Sequence, residues 1–204
     1  MKLLSTVIIF FILNTTYAQT IKLAVNNLPN DNAYIYSLQG EKTNLVDSVI
    51  SFKDGNIIYR FQPNKYHTGF YRITLGQNRW IDFIYDSKNI EIKTNANDIL
   101  DSINVITSES NRLYYSFIKL NKLFKAKTEL LQLVLARYPK ETNYYETTKN
   151  ELEQVQLAYS HFVNKTSQST PDSFVAKYIK SSQLPLFDES LSPAKQLEFL
   201  KSHD

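Results

Sequence analysis

The chain has 204 residues, a net charge of +3 from 23 basic and 20 acidic side chains, and no cysteine. Disulfides, thiolate catalysis, cysteine-ligated zinc and lipid attachment through cysteine are therefore excluded. The near-even charge leaves no electrostatic footprint for nucleic acid, and only 4 glycines argue against glycine-rich phosphate loops.

The opening "MKLLSTVIIFFILNTTYAQT" carries one lysine, an apolar run from Leu3 to Leu13, and small residues at Thr16 and Ala18. It predicts a signal peptide over residues 1–18, cut before Gln19, and hence a periplasmic or otherwise exported protein that is not a lipoprotein. The competing reading is an N-terminal membrane anchor. The apolar run is short for that, since a spanning helix takes about 20 residues.

Residues 19–107 predict a β-sandwich- or barrel-like antiparallel domain. The runs are "TIKLAV" (20–25), "AYIYSL" (33–38), "NLVDSVISF" (44–52), "NIIYRFQ" (56–62), "GFYRITL" (69–75), "WIDFIYD" (80–86), "NIEIKT" (89–94) and "SINVIT" (102–107). Turn residues separate them, and Asp54-Gly55 is the strongest hairpin signal. Two of the runs are apolar on both faces. Tyr71, Ile73 and Leu75, with Ile81, Phe83 and Tyr85, form a candidate core face. Phe70, Trp80 and Ile84, mixed with Arg72 and Asp82, are left on the other face as a candidate binding patch. Helices can cover that face, a partner protein can dock on it, or Trp80 can stack on a sugar ring.

Residues 108–204 predict a helical region. Leu113, Phe117, Leu120, Phe124, Leu131, Val134 and Tyr138 form one stripe, interrupted by Lys127. Tyr145, Thr148, Leu152, Val155, Tyr159 and Phe162 form a second at heptad spacing. With Pro139 between them, they predict a long antiparallel helical hairpin over 108–167. Asn143 with Glu146 resembles a cap for its second helix. At about 40 Å long, such helices project unless they lie across the sheet. Thr170-Pro171 and Ser192-Pro193 predict short helices at 171–182 and 193–202. The fold class is thus α+β.

The order of "LVDSVISFKDGNIIYRF", "TGFYRITLGQNRWIDFIYD" and "NIEIKTNANDI" carries a resemblance. An Asp-Ser pair like Asp47-Ser48, a Lys-Asp-Gly turn, a Gly-aromatic-Tyr-Arg strand and a Ser-x-x-Asn like Ser108–Asn111 come in sequence. Over about residues 20–204 the chain resembles the N-terminal domain of unknown function of envelope thiol–disulfide interchange proteins of Gram-negative bacteria. In that family a thioredoxin-fold domain with Cys-x-x-Cys follows; here the chain ends after "LEFLKSHD". The resemblance implies a truncated or split reading frame, or a free-standing accessory module. It carries over no catalytic residue, and implies an envelope thioredoxin-fold protein as partner.

Little else points to chemistry. His67, His161 and His203 have no ligand-spaced neighbours. Asp82 and Asp86 share a strand at even spacing, which suits paired carboxylates, although Asp86 opens a turn. No calcium loop or Gly-x-Ser-x-Gly elbow is present. Lys119, Lys122 and Lys125 line a helix edge that fits an anionic surface or a solvated face. Asn164-Lys165-Thr166 is a sequon without consequence in a bacterial envelope. The expectation is a non-catalytic interaction module without cofactor or metal. It binds an envelope thioredoxin-fold protein or self-associates through its helices, with no nucleic acid and no membrane span after cleavage. The alternatives are a carbohydrate- or peptide-binding module using the aromatic patch, and a hydrolase using Asp82 or His67.

Overall fold

The computed structural model describes residues 19–29, 32–49, 54–62, 65–76 and 78–186. The predicted leader at 1–18, the helix at 193–202 and His203 lie outside the described residues. Among the described residues eight strands form: β1 Thr20–Asn26, β2 Ala33–Gln39, β3 Lys42–Val49, β4 Asn56–Arg60, β5 Gly69–Leu75, β6 Trp80–Tyr85, β7 Ile90–Asn95 and β8 Asn104–Thr107. A short helix, α1 (Ile99–Ser102), precedes β8, and α2 (Glu109–Arg137), α3 (Asn143–Ser169) and α4 (Phe174–Ser181) follow. The fold is α+β, with two four-stranded sheets and then a helical region.

The sheets run β4-β1-β7-β8 and β3-β2-β5-β6. Every pairing is antiparallel except β1 with β7, which is parallel from Ile21↔Ile90 to Asn26↔Asn95. Parallel neighbours need a long connection, and here β2 to β6 supply it: β2, β3, β5 and β6 build the other sheet, and β4 pairs with β1. Alternation sends one face of each strand inward. Ile21, Leu23, Val25, Ile57, Ile90 and Ile92 meet Ile35, Tyr71, Ile73, Leu75, Ile81 and Phe83 in one core. Phe61 centres the aromatic end of that core, with ring centroids 4.3 Å from Tyr85, 5.1 Å from Tyr59 and 5.2 Å from Tyr66. The predicted core face of β5 and β6 is buried in full.

Asp54-Gly55 corrects the hairpin expectation. The turn stands between β3 and β4, which belong to different sheets. Its geometry answers to β1 instead: Val25 N–H donates to Gly55 O at 2.9 Å. Gly55 sits at φ +70, and a Cβ there would lie 1.9 Å from Val25 O. Only glycine fits so close an approach. A second tie joins the edge strands of the two sheets. Tyr59 on β4 donates its hydroxyl to Asp47 Oδ2 on β3 at 2.8 Å and also pairs with the Tyr66 hydroxyl. The Tyr59 hydrogen bond, helped by Ser48 N–H, holds the Asp47 carboxyl below the usual range.

The helices differ from expectation mainly at their ends. Thr142, not Asn143, caps α3 by accepting from Tyr145 N–H. α4 starts at Phe174 under a Ser173 cap, because Thr170 closes α3 and the intervening turn is fixed by Ser173 N–H donating to Thr170 O. Lys127, the break in the α2 stripe, reaches Glu151 of α3 at 3.6 Å. In α2 the buried residues are Asn111, Tyr114, Tyr115, Phe117 and Phe124, none beyond Phe124. Asn111 and Tyr115 bond to β6, whereas Phe124 stacks on Tyr159 of α3. Leu130, Leu133, Tyr138 and Tyr144, toward the tip of the α2–α3 pair, are exposed.

Candidate functional site

The second apolar face of β5 and β6 is largely covered by helices. β6 is the last strand of its sheet, so its outward main-chain groups need partners. α2 supplies them. Asn111 is fully buried; its Oδ1 accepts from Ile84 N–H at 2.8 Å and its Nδ2 donates to Ile84 O at 2.8 Å. The Tyr115 hydroxyl donates to Asp82 O at 2.5 Å. Asn111 is itself held by Ser108, the α2 N-cap, whose Oγ accepts from both Asn111 N–H and Nδ2. Ser108 takes φ +100, a costly backbone state for a non-glycine residue. The Ser-x-x-Asn spacing therefore serves as a cap and a strand-edge clasp together.

The five patch residues are divided among different surroundings. Ile84 is fully buried. Phe70 is partly covered, packing edge-on against Tyr178, Tyr114 and Phe174 with centroids 4.7, 5.1 and 5.4 Å away. Arg72 and Asp82 face each other across the register and form a fork, with Nε–Oδ1 at 2.6 Å and Nη2–Oδ2 at 2.8 Å. The Asp82 hydrogen bonds raise the Arg72 guanidinium pKa further. The guanidinium also lies over the Trp80 ring, 4.8 Å from its centroid. Trp80 is 47 % exposed. It pairs with Thr74 whereas Phe70 pairs with Ile84, a separation of roughly 13 Å along the sheet. The two rings do not form one platform.

Where the coverage stops, a cleft of about 1030 Å³ opens. Its aromatic wall comes from β5, α2 and α4, as Phe70, Tyr114, Phe174 and Tyr178. Residues 37–40, at and just past the end of β2, and the 65–68 loop with Lys65 and His67 complete the lining, together with Lys177 of α4. Burial pushes the Tyr114 hydroxyl well above its ordinary range and raises that of Tyr178, so both are neutral. A smaller cleft of about 360 Å³ lies on the far side of Tyr114, between Trp80, Arg79 and the α1 residues Ile99 and Leu100.

The other sequence candidates fall as follows. His67 and Asp82 line the same large cleft, but among aromatic rings, and both Asp82 carboxylate oxygens are held by Arg72. His67 is exposed, and its carbonyl accepts from the Tyr71 hydroxyl. His161 is exposed on α3. Asp86 does not join Asp82; its Oδ2 accepts from Ser110 Oγ at 2.6 Å at the start of α2. Lys119 donates to the carbonyls of Asp101 and Ile103, and Lys122 pairs with the Asp101 carboxylate, so two of the three edge lysines tie α2 to α1 and its C-cap. Among the described residues no group of three or more His, Cys, Asp or Glu is placed to hold a metal. No described helix is long and apolar enough to cross a membrane.

Tyr114, Phe174, Lys177 and Tyr178 were missed as site residues by sequence reasoning. Their only sequence signal is two aromatics and a lysine on the short α4 segment, which reads equally well as packing. No family model, curated protein or solved structure matches the chain.

Proposed function

We propose that the chain is an exported accessory module that binds a protein partner through the cleft between β5 and α4 and breaks no bonds itself. The cleft is the observation that carries this reading. It is large, open and walled by rings, as interface hot spots are. Asp82, which lines it, is engaged by Arg72, and burial holds Tyr114 and Tyr178 neutral. The resemblance of the strand order to the N-terminal domain of envelope thiol–disulfide interchange proteins favours a thioredoxin-fold partner.

Self-association through the exposed leucines of α2 is the second reading, favoured by Leu123, Leu130 and Leu133 at helical spacing on the surface. The test is direct. The purified chain is mixed with envelope thioredoxin-fold proteins encoded near its gene, and association is measured by interferometry. Wild type binds, and Phe174→Ala or Tyr178→Ala weakens binding at least tenfold. If wild type associates with none of them, the thioredoxin-fold assignment fails. If sedimentation then shows a dimer lost on Leu130→Glu, the second reading replaces the first.

A further inference from the structure

Resting on the binding reading above, we infer that the cleft takes an acidic peptide segment carrying a large apolar or aromatic side chain. Three properties of the cleft fix that chemistry. The first is the wall. Phe70, Tyr114, Phe174 and Tyr178 meet edge to face or tilted, with Tyr114 and Tyr178 centroids 5.7 Å apart. Rings locked in this way present a rigid apolar surface at little further entropy cost, which suits an aromatic or leucine anchor.

The second property is the sign of the charge. Lys65, from the 65–68 loop, and Lys177, from α4, both line the cleft, and both are exposed. Lys177 has no ion pair among the described residues. Lys65 leans over the Tyr66 ring, 5.7 Å from its centroid, and lies within electrostatic reach of Asp47. The Asp47 carboxylate is already satisfied by Tyr59 and by Ser48 N–H. Asp82, the one carboxylate among the described residues that line the cleft, is neutralised by the Arg72 fork. Among the described residues an incoming carboxylate therefore meets two lysines and no unpaired negative group.

The third property is polarity and size. Ser37, Gln39 and Ser181 line the cleft beside the rings, and these side chains can pair with main-chain amides. Burial holds the Tyr114 hydroxyl in its neutral form, able to donate. A volume of about 1030 Å³ sits at the top of the range for small-molecule sites. It accommodates several residues of extended chain. An acyl chain would leave the polar side chains unpaired, at a cost.

The experiment uses the full purified chain. Random heptapeptides displayed on phage are selected against it, and enriched peptides are measured by fluorescence polarisation. Enriched sequences combine Asp or Glu with Phe, Tyr, Trp or Leu. Replacing their acidic residues by Asn or Gln weakens binding by roughly two- to fivefold per lysine engaged at low salt. In the Lys65→Gln/Lys177→Gln double variant, two surface changes that leave the fold intact by circular dichroism, that difference disappears. Enrichment of apolar peptides with no acidic preference, or with Lys and Arg, overturns the inference and leaves the binding reading standing. No enrichment at all overturns both, as does displacement of every selected peptide by oleate at lower concentration.

Discussion

Asn111→Ala is the sharpest test of how the two halves are joined. The change removes one acceptor and one donor from Ile84, whose side chain is fully buried under α2. Each main-chain group left unpaired and dry costs about 1–3 kcal/mol, so the pair costs roughly 2–6 kcal/mol. In a chain of this size each kcal/mol lowers Tm by about 2–4 °C, which gives a fall of roughly 4–24 °C. Urea unfolding followed by circular dichroism measures it, with the slope in denaturant unchanged if only stability moves. Asn111→Asp adds a second reading of the same site. Protonated, the carboxyl offers one donor and one acceptor and can replace the amide; ionised, it can only accept. Burial raises its folded-state pKa above the unfolded value of about 3.9. Its stabilising contribution is then full below that unfolded value and is lost as pH rises through the folded one. The variant should stand closer to wild type at pH 4 than at pH 7. A loss below about 0.5 kcal/mol for Asn111→Ala, or a pH-independent deficit for Asn111→Asp, would refute the strand-edge clasp.

Other outcomes follow from single contacts. Gly55→Ala drives a Cβ into Val25 O at a positive φ; urea titration should show a loss of more than about 2 kcal/mol, while exposed Gly40→Ala, with open space around it, costs less. Trp80 is the single tryptophan, so its fluorescence reports on the Arg72 fork alone: Arg72→Ala should shift its emission and Lys177→Gln should not. Tyr59→Phe removes the bond that keeps the Asp47 pKa low. A depressed carboxylate stabilises above its unfolded pKa, and that contribution is lost as pH falls through the folded value. The deficit of Tyr59→Phe should therefore be larger at pH 7 than below pH 3.5, as read by thermal melts.

The strands were legible because alternation leaves a local trace. "GFYRITL" and "WIDFIYD" announce both faces, and the residues assigned inward, Tyr71 through Tyr85, are those that the core takes. The helical hairpin was legible for the same reason, through steps of three and four. What the sequence hid was non-local. Nothing in "TIKLAV" or "NIEIKT" says that they pair in parallel across 69 residues of separation. Asp54-Gly55 reads as a hairpin because turn chemistry is local, whereas its glycine is required by Val25, thirty residues earlier. The candidate patch named a second apolar face and was silent about what meets it. Phe70 finds its neighbours on α2 and α4, over forty and one hundred residues away. Lys65, Tyr114 and Lys177 share a cleft only once the chain has folded, so no spacing rule could have gathered them.

The clasp on Ile84 also has a consequence for synthesis. The side chain that completes the sheet margin lies 27 positions downstream of the strand that needs it. At ribosomal speeds of about 5–20 residues per second, that strand waits some seconds, longer once exit from the tunnel is included. During that interval its bare amides can recruit a neighbouring nascent chain. A fragment cut at residue 107 would hold that condition permanently and should precipitate, whereas one extended through the first turns of the following helix should stay in solution.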